Sequence, residues 1–294
     1  MKNLYITGVL GQDGKILSKI ISKKKFKIIC LIKKKKIYRE KGVISINTNL
    51  LEKKKLTKIF ALIKPDIILH LASNNPSFNE KNYKKFYSDN ILASSNLYNI
   101  AQIFNKNIKF ISISSSQIFK KKNGIVNEKS EVRISSPYTK FRIEFEKYLK
   151  RKKANFTNII LFNHDSKFRN KKFLIPRIMN ALKNKNTKFL SQIIKENIHG
   201  DFSHADDICN GIYKILIKNQ KIEKVILSSN KSSSINSIIQ YVIKKNKIKL
   251  KFNFNNVKQK RSLILGDNSL AKKTLRWKHK KNIFIAAQEI YRNL

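Results

Sequence analysis

Acidic residues are scarce in this 294-residue chain: 18 Asp and Glu stand against 64 Lys and Arg, a formal net charge of +46. Cysteine is nearly absent. Cys30 and Cys209 are the whole complement, and their spacing fits neither a disulfide framework nor a metal site, so two buried reduced thiols are expected. No apolar run approaches the roughly 18 residues that a membrane span requires. The first residues hold one Lys, no cleavable apolar region and an immediate turn, which does not read as a signal peptide, and a cytoplasmic protein is expected. No Pro- or Gly-rich linker and no internal repeat breaks the chain. No His, Cys, Asp and Glu set has metal-ligand spacing, so no metal is expected.

What is present is a hydrophobic content of 41%, enough at this length for a sizeable core. The basic excess invites a nucleic-acid reading. Against it, lysine is spread along the entire chain with abundant Asn and Ile, residues that AT-rich codons favour, and forms no stripe or tail. Salt-sensitive association with polyanions is expected, and a specific nucleic-acid role is not.

Three of the 8 glycines fall within seven positions, at Gly8, Gly11 and Gly14. They follow the apolar run Leu4-Tyr5-Ile6-Thr7 and precede Lys15 to Ile21, which has helical spacing. A strand that turns at once into a helix needs such a corner, and a phosphate can rest on the helix N-terminus when no Cβ blocks it. Further apolar strands are expected at 27–32, weakly at 43–46, and at 66–72 and 108–113. Helices are expected around 56–63 and over 88–104. Strands alternating with helix-length crossovers predict an α/β fold, a doubly wound parallel sheet of Rossmann type. The second strand ends in Lys33 and Lys34 with no carboxylate. That suits the 2′-phosphate of NADP better than the ribose hydroxyls of NAD, although a solvated lysine run has the same look.

The strand at 108–113 opens into Ser114-Ser115-Ser116-Gln117, and Ser136-Pro137-Tyr138-Thr139-Lys140-Phe141-Arg142 follows. Here the chain resembles the extended short-chain dehydrogenase/reductase family, also described as NAD-dependent epimerases and dehydratases. That family sets a Ser or Thr after the fifth strand and a Tyr-x-x-x-Lys on the next helix. Residues four apart share a helix face, so the cation favours the phenolate that removes a sugar hydroxyl proton. By this resemblance Tyr138 is the base, Ser115 its hydroxyl partner and Arg142 the cation.

Four ordered motifs narrow the resemblance to the GDP-mannose 4,6-dehydratase group. They are Gly11-Gln12-Asp13-Gly14, Leu161-Phe162-Asn163-His164-Asp165-Ser166, Asp201-Phe202-Ser203-His204-Ala205-Asp206-Asp207, and Leu265-Gly266-Asp267 with Ala271 to Trp277. The implied cofactor set is Gly8, Gly11, Gln12, Asp13, Gly14, Lys33, Lys34, Asn49, Leu50, Leu71 and Ala72, and the implied sugar-nucleotide set is Asn74, Asn163, Arg169 and Arg177. Asn90 matches a residue that helps place the catalytic cation. His70, His164 and His204 read as packed or supporting residues. The departures fall on the chemistry. Gln117 replaces a Glu that removes the C5 proton, and an amide has no basic oxygen at neutral pH. Arg142 replaces Lys, whose ammonium a planar fork does not reproduce.

The resemblance implies an NADP-binding domain over 1–165 and a smaller substrate-binding lobe over 166–294, with segments near 198–216 returning to the first. It implies a homo-oligomer acting on a nucleotide sugar, GDP-linked by the group. Three readings stand: an NADP-dependent 4,6-dehydratase, a 4-keto reductase or epimerase, and a nucleotide-sugar-binding homologue with impaired catalysis.

Overall fold

The computed structural model describes residues 1–33, 38–73, 83–218, 220–258 and 263–294, with Tyr83 described by its backbone alone. The chain forms two compact units: one of Met1–Lys120, Glu131–Ile160 and Ile212–Val225, the other of Lys121–Ser130, Leu161–Gly211 and Ile226–Leu294. The stretch 198–216 therefore divides after residue 211.

The first unit is built from β1 (Lys2–Thr7), α1 (Gln12–Ile20), β2 (Phe26–Ile32), β3 (Val43–Asn47), α2 (Lys53–Leu62), β4 (Ile67–His70), α3 (Tyr83–Phe104) and β5 (Lys109–Ser115). The short strand β6 (Gly124–Val126) belongs to the other unit, and α4 (Pro137–Arg151) and β7 (Phe156–Leu161) follow. The last strand of the large sheet is β10 (Lys224–Leu227), giving the order β10-β7-β5-β4-β1-β2-β3. β1 runs parallel to β2 and β4, β2 to β3, and β4 to β5. The order reverses beside β1, the place where doubly wound sheets leave a crevice. Residues 67–70 and 156–161 are buried throughout, as strands covered on both faces must be. Tyr5, Phe60, Tyr98, Phe110, Phe141 and Phe145 belong to the core on one face. α3 starts about a turn earlier than the 88–104 spacing predicts.

The glycine turn has the geometry the sequence requires. Gly8 sits at φ +77°, and a Cβ there would lie 2.8 Å from the Ala72 backbone nitrogen. A Cβ on Gly14 would overlap the Val9 backbone, so α1 can pack this closely only with glycine at that position. At the start of β5, Lys109 donates its ammonium hydrogens to the carbonyls of Ile215, Leu216 and Lys218 at 2.8, 3.3 and 2.7 Å.

The second unit contains β8 (Asn163–Asp165), α5 (Leu174–Lys183), α6 (Thr187–Lys195), β9 (His199–His204) and the start of α7 (Ala205–Ile217). It continues through β11 (Ser232–Ser234), α8 (Ile235–Lys245), β12 (Ile264–Gly266), α9 (Ser269–Leu275) and α10 (Ile283–Arg292). β9 pairs antiparallel with β11 and parallel with β8, and β12 runs parallel to β6. Its core joins Ile178, Met179, Leu190, Phe202, Ile238, Ile239 and Ile290.

Here two of the family-like segments brace one another. Asp201, 2% exposed, accepts hydrogen bonds from the Ser229 N–H and hydroxyl at 2.8 and 2.5 Å. It also accepts from the Asn230 and Gly266 N–H groups, both at 3.1 Å. The Trp277 indole donates to the Asp207 carbonyl at 2.8 Å, while the Asp207 carboxylate accepts the Lys280 and Lys281 N–H groups, both at 2.6 Å. Among the described residues no helix is long and apolar enough to cross a membrane. Both cysteines are buried and not disulfide-bonded.

Candidate functional site

A cavity of about 370 Å³ opens at the C-terminal ends of β1, β2, β3 and β4. Its walls are 7–11 of the glycine turn, 31–33 at the end of β2, 48–51 after β3, 71–73 after β4, and Asp89, Asn90, Ala93 and Ser94 of α3. Seven implied cofactor residues line it: Gly8, Gly11, Lys33, Asn49, Leu50, Leu71 and Ala72. Gln12, Asp13 and Gly14 form the first turn of α1 rather than the wall. Gly11 is the N-cap and makes no side-chain cap bond. A Cβ on it would meet only the Gly8 carbonyl, at 3.2 Å. The helix end therefore faces the cavity without a side chain in the way, the arrangement that admits a diphosphate. Lys34 and Asn74 lie outside the described residues.

Two of the implied catalytic residues, Tyr138 and Arg142, come together because α4 starts where it does. Ser136 caps the helix by accepting the Thr139 N–H at 3.1 Å, and the Thr139 hydroxyl oxygen accepts the Ser136 N–H at 2.9 Å. This capping box, with Pro137 at the first turn, fixes the helical phase that puts Tyr138 and Arg142 on one face. Arg142 is 8% exposed. It donates to the Ile113 carbonyl at 2.6 Å, to the Ser73 hydroxyl at 2.7 Å and to the Tyr138 hydroxyl at 3.4 Å. Its Nε has no hydrogen-bond partner among the described residues. Lys140 points elsewhere, over the Tyr87 ring at 4.7 Å.

α4 packs on β5 and on the 3-10 turn Ser116–Ile118 that follows it. Ser115 caps that turn, its hydroxyl accepting the Gln117 N–H at 3.3 Å. The Gln117 residue is exposed. Asn90 donates its amide to the Phe86 carbonyl at 2.9 Å, within its own helix. His70 is buried, and burial followed by the Arg142 charge pushes it down to about 3, a neutral imidazole.

The remaining implied residues belong to the second unit. Asn163 is exposed at the start of β8. Arg169 ion-pairs with Asp165 at 3.3 Å and lies 3.6 Å over the Phe173 ring. Arg177 lies on α5, 5.2 Å over the Phe189 ring. The His164 Nδ1 meets the Phe162 carbonyl at 2.7 Å. The sequence reading missed Ser73, Asp89 and Ser94 as cavity residues. Asp89 and Ala93, like Asn90 and Ser94, sit four apart on α3, so helical phase beside Asn90 was the available signal.

The family described as GDP-mannose 4,6 dehydratase matches residues 5–290. A GDP-mannose 4,6-dehydratase of Sordaria araneosa, sdnI, is 23% identical over 264 residues, covering 83% of this chain and 48% of that protein. The chain spans about half the length of the curated relatives it matches. Among solved structures, the UDP-glucose 4-epimerase with UDP-glucose from Thermotoga maritima superposes with a TM-score of 0.83 at 14% identity, covering 99% of this chain and 98% of that one. The UDP-glucuronic acid 4-epimerase from Bacillus cereus in complex with NAD gives 0.82 at 18% identity, covering 99% and 96%. These structures share the fold described above.

Proposed function

This chain belongs to the GDP-mannose 4,6 dehydratase family of nucleotide-sugar enzymes, and from that premise we propose that it carries out redox chemistry at C4 of a nucleotide sugar with a nicotinamide dinucleotide. The observation that carries the proposal is the pairing of the half-buried Tyr138 with the buried Arg142, which is bonded to Ile113 of β5 and to Ser73 after β4, in the unit that also holds the glycine-turn cavity. The cavity fits a dinucleotide: its volume lies within the usual range for small-ligand sites, and Gly11 leaves the α1 N-terminus open. A nicotinamide dinucleotide held there by Gly8, Gly11, Lys33, Leu71 and Ala72 would supply hydride acceptance and donation at C4.

The chain's own part is proton handling. Tyr138 takes the proton of the sugar C4 hydroxyl, and the Arg142 guanidinium steadies the negative charge that develops on the phenolic oxygen. The Ser115 hydroxyl orients the same sugar oxygen. Asn163, Arg169 and Arg177 are proposed sugar-nucleotide contacts of the second unit. NADP is the proposed cofactor, since Lys33 lines the cavity and no carboxylate stands at the end of β2. NAD is the competing choice, because the Bacillus cereus epimerase was solved with it.

Family membership makes GDP-mannose dehydration the first reading. Gln117 favours a second, 4-keto reduction or epimerisation, which uses Tyr138 and requires no base at position 117. The test is to incubate pure protein with GDP-mannose and either NADP or NAD in deuterated water, then follow the sugar by NMR. A 4-keto-6-deoxy product carrying deuterium at C5 supports dehydration. Inversion at C4, or NADPH consumption on a 4-keto sugar nucleotide, supports the second reading. Tight sugar-nucleotide binding with no turnover by either route would leave a binding homologue.

A further inference from the structure

We propose that His70 is a positioning residue which, as a neutral Nε2–H imidazole, locks three walls of the dinucleotide cavity into one register. The inference rests on the dinucleotide reading above and concerns a residue behind the cavity rather than in its wall. His70 ends β4, 2% exposed. Its Nδ1 lies 2.8 Å from the Thr7 hydroxyl at the start of the glycine turn, and its Nε2 lies 2.9 Å from the Ser94 hydroxyl on α3. Thr7 and Ser94 both line the cavity.

The hydrogen positions follow by elimination. A carbonyl oxygen cannot donate, so the Ser94 hydroxyl donates its single hydrogen to the Asn90 carbonyl, 2.8 Å away. The Ser94 oxygen must then accept from His70, which places a hydrogen on Nε2. A neutral ring carries one such hydrogen, so Nδ1 is bare and accepts from Thr7. The Thr7 oxygen in turn accepts the Ala72 N–H at 3.1 Å. One continuous relay therefore runs from Ala72 through Thr7, His70 and Ser94 to the Asn90 carbonyl, joining the β1, β4 and α3 walls.

The surroundings favour the neutral ring. Phe110 and Phe145 rings stand 5.9 and 6.3 Å away. Arg142 is the charge that acts on His70, and no carboxylate ion-pairs with it among the described residues. A second proton would also force an N–H against Thr7, whose own hydrogen would lose its acceptor. The relay thus has one direction and one tautomer, and each wall of the cavity is held by a hydrogen bond that can be made in only one way.

The test combines a spectroscopic signature with a binding comparison. Long-range proton–nitrogen NMR correlations of the ligand-free protein should show His70 as the Nε2–H tautomer, unchanged from pH 7.5 to 5. An Nδ1–H tautomer, or titration near the ordinary histidine value, overturns the relay. Calorimetric titration with NADP and NAD should show His70→Asn, which keeps the Thr7 half of the relay, weakening dinucleotide affinity by about tenfold. His70→Phe, which keeps neither half, should weaken it more. Unchanged affinity in a folded His70→Asn variant overturns the positioning role. Should His70→Phe fail to fold, Ser94→Ala takes its place: it strands the Nε2–H and should weaken affinity like His70→Asn, and unchanged affinity there also overturns the proposal. Wild-type protein that binds neither dinucleotide refutes the cavity assignment instead, and the imidazole signature still decides the relay.

Discussion

Arg142 in the first unit and Asp201 in the second are both buried charges with several hydrogen bonds, yet they are used differently. Asp201 accepts four bonds, three from backbone N–H groups and one from the Ser229 hydroxyl, and all of them fasten loops together. Arg142 gives one bond to a carbonyl and shares its other terminal nitrogen between Ser73 and the phenol of Tyr138, in the unit that contains a cavity. A buried charge bonded to backbone and a loop hydroxyl is scaffolding. One that shares a donor with the proposed proton-transfer group, with its Nε unbonded among the described residues, suits the chemistry proposed for it. Family-like motifs occur in both units, so the motif alone does not reveal which use a residue has. Its bonding partners do.

Substitutions can break or sharpen this contrast. Tyr138→Phe should reduce kcat by roughly 10²- to 10⁴-fold while leaving the thermal midpoint and dinucleotide affinity as in wild type, measured by steady-state kinetics and calorimetry. Asp201→Ala should do the reverse. Four donors lose their acceptor, a destabilisation of about 3–5 kcal/mol, read by denaturant unfolding, with dinucleotide affinity of the remaining folded protein retained. A parallel loss of affinity would contradict the division of labour. Gly14→Ala should cost about 1–3 kcal/mol through overpacking and weaken dinucleotide binding with it, because α1 must retreat from the Val9 backbone.

The pH dependence separates the units more gently. His70 is held at about 3 in the folded state against 6.5 ordinarily. The unfolded chain therefore binds the extra proton first as pH falls. Stability from this group is full above about 6.5 and declines toward 3 by up to roughly 1.4 kcal/mol per pH unit. His70→Asn should flatten the unfolding free energy between pH 6.5 and 4.5 relative to wild type. The smallest effect is expected of Trp277→Phe, which removes the indole hydrogen bond to the Asp207 carbonyl for about 1 kcal/mol and should not alter turnover.

Much of the first unit was legible because its signals are local. Strand–glycine–helix, a continuous apolar strand and a Ser-Pro-Tyr helix start each announce themselves within ten residues, and the Rossmann sheet follows from their alternation. The second unit was legible mainly by resemblance. The helices α6, α9 and α10 were not read from the sequence as helices. The role of Asp201 depends on partners 28 and 65 positions away, a separation that no window of periodicity spans. The same limit hid Ser73 and Ser94. Each became meaningful only when β4 and α3 were brought to one cavity.

The Lys109 ammonium, bound by three carbonyls more than a hundred residues downstream, carries a consequence for biosynthesis. β5 and β7 are made early, but the carbonyls that satisfy Lys109 and the strand that pairs with β7 belong to residues 212–227. A nascent chain stopped before that stretch would lack the acceptors that fix Lys109 and would carry an open sheet edge ready to pair with a neighbour. Ribosome-bound fragments should accordingly remain dependent on chaperones until β10 has cleared the exit tunnel.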